Sequence, residues 1–127
     1  QLRSPKKQLY GGKWDVSAGG HSRAGENSAA AARRELMEEL GIDFDFSSVD
    51  PVMTANFHHG FDDYYVIDRD LDPDKLRLQE SEVVRVKWVT PDEIYAMIDS
   101  GEFLPFPKSF FAFLFDLHAN DLDFIRK

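Results

Sequence analysis

The chain has no cysteine, which excludes disulfides, zinc–thiolate centres and cysteine nucleophiles. No apolar run approaches the roughly 20 residues of a membrane span, and no signal-peptide pattern precedes Leu2. Basic residues are in deficit: 15 Lys and Arg against 23 Asp and Glu give a formal net charge of −8. A duplex-DNA binder or a protein docked on an anionic membrane needs a basic face, so both are disfavoured, a local basic patch apart. Internal repeats and low-complexity tracts are absent. Apolar bulk, in contrast, is plentiful: 43% of the 127 residues are hydrophobic and 11 are Phe. That rules out a disordered acidic tail and suits one soluble, cytoplasmic domain over 1–127. The chain opens at Gln1 rather than Met, as expected of a segment trimmed at its N-terminus.

Strand-like stretches fall at Trp14–Ser17, Val52–His59, Tyr64–Asp68 and Glu82–Val89, with turns at Gly11–Gly12, Gly60 and Asp72–Pro73. Three helices are expected. The first runs from Asn27 or Ser28 to Leu40 and stops at Gly41. The second opens with the capping box Thr90-Pro91-Asp92-Glu93 and reaches about Asp99. The third covers Lys108 to Ala119, with Phe110, Phe111, Phe113, Leu114 and Leu117 as its apolar face. Interleaved strands and helices predict a layered α/β (α+β) fold. The Phe-rich stretch Phe103–Phe115 reads as core, with a stacking ring or a homodimer surface as the alternatives.

The chemistry concentrates on the first helix. At 100° per residue, Glu35, Glu38 and Glu39 share one face within about 100°, beside an apolar stripe of Ala29, Ala32, Leu36 and Leu40. Arg34 stands four residues before Glu38 and can pair with it. Three clustered carboxylates repel one another and raise at least one pKa unless a cation joins them. Mg²⁺ and Mn²⁺ prefer such ligands. The preceding Ala18-Gly19-Gly20, almost without side chains, lets backbone carbonyls approach closely. On helical spacing alone, a solvated acidic face is the competing reading.

The wider segment decides between them. Gly20, then Glu26, then Arg34-Glu35-Leu36-Met37-Glu38-Glu39-Leu40-Gly41-Ile42 resembles the Nudix box at every defined position. The resemblance implies a Nudix-like α/β/α sandwich with a mixed sheet over nearly the whole chain. The strand that normally opens that fold is missing here, and Gln1–Ser4 looks like the end of the next. Family members hydrolyse a nucleoside diphosphate linked to another moiety by attack of water on phosphorus. The resemblance further implies that Glu35, Glu38 and Glu39 bind Mg²⁺ or Mn²⁺, with a carbonyl of Gly19 or Gly20 as a further ligand. Glu26 and Arg34 would be a supporting ion pair, and one box or downstream glutamate the general base. Nudix enzymes often place a further acid near Glu80-Ser81-Glu82, so Glu80 or Glu82 is an extra ligand or base. The two alternate along an extended chain, and at most one faces the site.

Several competing readings remain. Trp14–His21 with Glu80 and Glu82 also resembles isopentenyl-diphosphate isomerase, in which a Gly-His pair and a Glu-x-Glu pair bind metal. Gly19 stands where that enzyme has its Cys, and two-sided proton transfer needs two acid–base groups, so isomerisation is disfavoured. His21 is a candidate metal ligand, a substrate-phosphate contact or a plain loop residue. A non-catalytic nucleotide-binding Nudix module is the other alternative, disfavoured because every box acid is present. His58-His59 on a strand would point to opposite faces. Asp68, Asp70, Asp72 and Asp74 resemble the start of a calcium loop, but Pro73 and Gln79 occupy the positions that need Gly and Glu, so a solvated turn is expected.

Overall fold

The computed structural model describes residues 1–120, so 121–127 of the expected domain lie outside the described residues. The three helices form as the sequence dictates. In α1 (Ser28–Leu40) the Asn27 side chain accepts from the Ala30 amide at 2.8 Å. Gly41 ends the helix in the left-handed conformation, φ 71°, its amide donating to the Met37 carbonyl. Helix α2 (Pro91–Ser100) opens with the complete Thr90–Glu93 capping box and stops at Gly101. Helix α3 spans Lys108–Ala119.

Two apolar clusters hold these helices. Leu36 and Leu40 of α1 pack on Ile42, Phe46 and Val83, with Ala29 and Ala32 alongside, so the expected apolar stripe is the one buried. Ile94 and Met97 of α2 pack on Phe103 and on Phe111 of α3. Phe103, Phe106, Phe110, Phe111 and Phe115 touch ring to ring. The Phe-rich stretch is therefore core, apart from Phe113, which is exposed.

In place of the expected continuous mixed sheet, the described residues form two two-stranded antiparallel sheets and two isolated bridges, because the pairings are too short to join. Strand β1 (Leu2–Arg3) runs antiparallel to β4 (Val83–Arg85). Leu2 also bridges antiparallel to Trp14, and Trp14 bridges parallel to Phe103. Val83 belongs to the first cluster, and Trp14 and Phe103 to the second, so these pairings contribute to both. A separate hairpin joins β2 (Met53–Phe57) to β3 (Gly60–Tyr64).

The strands differ from expectation in extent and place. Trp14–Ser17 shrinks to the single bridge at Trp14, and Glu82–Val89 to three residues. Tyr64–Asp68 is strand only at Tyr64; the strand begins earlier, at Gly60. A strand exists only where a second backbone offers ladder partners, and among the described residues 65–68 and 86–89 have none. Gly60 is not the turn. His58-His59 make it, and Gly60 opens β3 with φ 155°, a value that L side chains rarely adopt.

Candidate active site

Arg34 organises the acidic face. Its Nε donates to Glu26 Oε2 at 2.8 Å and its Nη2 to Glu26 Oε1 at 3.0 Å, a two-pronged pair. Its Nη1 reaches Glu35 Oε1 at 2.7 Å and Glu38 Oε2 at 3.3 Å, and Nη2 also meets the His21 carbonyl at 2.9 Å. Five donations match the five N–H bonds of a guanidinium. The expected Arg34–Glu38 pair is therefore present but is the longest of the set. Hydrogen bonds from Arg34 and from the Arg23 amide hold the Glu26 carboxyl down at about 2. The same carboxylates push Arg34 upward.

Glu39 is the contrasting group. It is a buried charged side chain, and no basic side chain pairs with it among the described residues. Burial pushes its pKa up to about 7. The charge of Glu35 and a hydrogen bond shared with it push the same way, while bonds from the Gln1 side chain and the Gly19 backbone oppose. Glu38 is more exposed and lies 3.7 Å from Arg23.

The loop before α1 fits against these groups. A Cβ on Gly20 would lie 2.2 Å from the Glu35 carboxyl, whereas one on Gly19 would meet nothing within 4 Å. Only Gly20 is thus required to be bare. Gly20→Ala is expected to push Glu35 off Arg34 and weaken Mn²⁺ binding about tenfold, with little change in melting temperature. Gly19→Ala should leave both unchanged. Calorimetric titration of the two variants checks this, and equal affinities would refute it.

Among the described residues neither Glu80 nor Glu82 makes a hydrogen bond or ion pair with Arg34, Glu35, Glu38 or Glu39. The turn that carries them is nonetheless docked on the C-terminal end of α1, where the Gln79 amide donates to the Glu39 carbonyl at 3.0 Å. Glu82 pairs with Lys7, a partner that sequence reasoning missed because 75 residues separate the two. Glu80 is exposed and has no side-chain partner among the described residues. His21 contributes its carbonyl, while its side chain points to solvent. His58 and His59 are not on opposite strand faces: they form the hairpin turn, rings 4.5 Å apart. The Asp-rich stretch is a capped turn, in which Asp72 accepts from the Asp74 amide and Asp68 pairs with His118.

Among the described residues no three His, Asp or Glu side chains converge closely enough to hold a metal ion as they stand. Glu35 and Glu38 rest on the same Arg34 nitrogen, and Glu39 of the same helix is buried without a basic side-chain partner among the described residues. Three carboxyl groups on one helix form a hard oxygen donor set. That set fits Mg²⁺ or Mn²⁺.

A family model described as NUDIX domain matches residues 1–110. The chain belongs to the Nudix family. It is 42% identical over 106 residues to an uncharacterised Nudix hydrolase of Listeria monocytogenes, covering 84% of this chain and 63% of that one. It is 31% identical over 105 residues to Nudix hydrolase 3 of Arabidopsis thaliana, covering 73% of this chain and 14% of the relative. The crystal structure of DR0079 from Deinococcus radiodurans superposes with a TM-score of 0.67 at 30% identity, over 80% of this chain and 63% of that one. The chain thus spans less than two thirds of the length of these relatives. No helix among the described residues is long and apolar enough to cross a membrane.

Proposed function

We propose that residues 1–127 form a single Nudix domain that hydrolyses a diphosphate linkage, in a nucleoside diphosphate derivative or related compound, with Mg²⁺ or Mn²⁺. The observation that carries this reading is Arg34 holding Glu35 at 2.7 Å and Glu38 at 3.3 Å beside Gly20, on the α1 face whose third carboxyl, Glu39, is buried. Glu35, Glu38 and Glu39, with a carbonyl of Gly19 or Gly20, would hold the cation. Once bound, it would polarise phosphate oxygens and help make hydroxide from water. Arg34, fixed by Glu26, keeps Glu35 and Glu38 oriented. A box glutamate or Glu80 accepts the proton of the attacking water. Glu82 is the weaker candidate because Lys7 occupies it.

The net charge of −8 does not forbid an anionic substrate, because bound cations invert the local field. Isomerisation lacks its second acid, since the chain has no cysteine. We place the activity in the cytoplasm, without a duplex nucleic acid or a membrane as partner. Turnover should vanish in EDTA and return with Mg²⁺ or Mn²⁺. In ¹⁸O-water the heavy oxygen should appear on a phosphate product. Tight binding of one compound from a broad diphosphate panel, without turnover, would replace this reading with a binding module.

A further inference from the structure

Among the described residues, strand β2 is an open edge. It pairs with β3 on one side, and among the described residues it makes no backbone hydrogen bond on the other. Phe57 faces Gly60 across the two-residue turn, and the pair that closes such a turn is a hydrogen-bonded one. Alternation along the ladder then directs the backbone groups of Met53 and Ala55 inward and those of Thr54 and Asn56 outward. Such an edge is a template for a further strand.

The two strands of the hairpin differ as templates. Strand β3 carries Asp62 and Asp63, so pairing it with its own copy would bring like charges together. Strand β2, Met53-Thr54-Ala55-Asn56-Phe57, carries no charge in a chain of net −8. Its side chains are also symmetric in kind about Ala55: apolar, polar, small, polar, apolar. At its end Phe57 is 53% exposed.

We propose that the β2 edge pairs antiparallel with the β2 edge of a second copy, about a two-fold axis through Ala55. In this register Thr54 opposes the partner's Asn56, and the outward backbone groups of both copies meet as two hydrogen-bonded pairs. Met53 opposes the partner's Phe57, a sulfur–aromatic contact on each side of the axis. Ala55 opposes the partner's Ala55 in the closer, non-hydrogen-bonded type of pair. Centring the axis on Thr54 or Asn56 forfeits the double Thr–Asn pairing and the Met–Phe contacts. The occupant is a second copy because the edge is complementary to itself in hydrogen bonding and apolar order and carries no charge to repel its own copy. The result is an isologous two-fold dimer.

The test uses the full chain at roughly 100 μM, where a small transient interface is populated. Sedimentation should show dimer. Ala55→Glu places like charges on the axis and should weaken self-association by up to about fivefold, the scale of direct like-charge opposition. Mixing Ala55→Glu with Ala55→Lys should restore dimers, as heterodimers, which shows that both variants fold. The absence of native cysteine allows a second readout. Ala55→Cys should form disulfide-linked dimers on oxidation, since the Cα atoms of such a pair lie about 4.5 Å apart. Phe61→Cys, on β3, should not. A wild-type monomer, a dimer that Ala55→Glu leaves intact, failure of the mixture to associate, or equal crosslinking of the two cysteine variants would overturn the proposal.

Discussion

Arg34→Ala is expected to lower both Mn²⁺ affinity and kcat by roughly 10- to 100-fold, the usual range for removing a group that orients metal ligands. The Michaelis constant should change less. The guanidinium directs all five donations at Glu26, Glu35, Glu38 and the His21 carbonyl, which leaves none for a substrate. Its loss frees Glu35 and Glu38 to move apart and leaves Glu26 without its partner. Arg34→Lys should fail almost as badly, because an ammonium keeps the charge but cannot reproduce the two-pronged pair with Glu26. Acid tolerance should fall as well. The Glu26 carboxyl is held at about 2 against 4.5 for a free carboxyl. Its stabilising effect is present above 4.5 and is lost as pH falls toward 2. Removing Arg34 therefore moves acid unfolding upward in pH. A rise in KM alone, with metal affinity intact, would instead place Arg34 on the substrate.

The parts of this molecule that were legible in the sequence are those fixed by local chemistry. Asn27, Gly41, Thr90 and Glu93 set helix ends through bonds a few residues long, and the helices start and stop where those residues stand. The acidic face of α1 and its apolar stripe follow from helical period alone. Strands were less legible because their limits belong to partners distant in sequence. Nothing within Val86–Val89 reveals that β4 ends at Arg85, and nothing in His58-His59 marks them as the turn rather than Gly60. The same holds within the site. The i,i+4 rule found Arg34 with Glu38 but is silent on the tighter contact with Glu35, which depends on the rotamer Gly20 permits. The capture of Glu82 by Lys7 depends on the fold bringing the first loop to the turn before β4, which no local pattern encodes.

In EDTA, the stability of the wild-type chain is expected to fall as pH rises from about 4.5 to about 6. Glu39 is the cause. Its pKa in the fold is about 7 against 4.5 for a free carboxyl, chiefly because it is buried. Below 4.5 folded and unfolded chains both hold the proton and there is no penalty. Between 4.5 and 7 only the folded chain holds it, so each step upward in pH favours unfolding. The full shift corresponds to about 3 kcal/mol, reduced by solvent screening to the order of 2 kcal/mol. Glu39→Gln should abolish that decline. Saturating Mg²⁺ should cancel the Glu39 contribution in the wild type, since a cation favours the carboxylate, and should do little in Glu39→Gln. Thermal melts at half-unit pH steps, with and without Mg²⁺, read all of these. A wild-type profile flat between 4.5 and 6, or one that Glu39→Gln leaves unchanged, would show that Glu39 is not the strained group at the centre of the site.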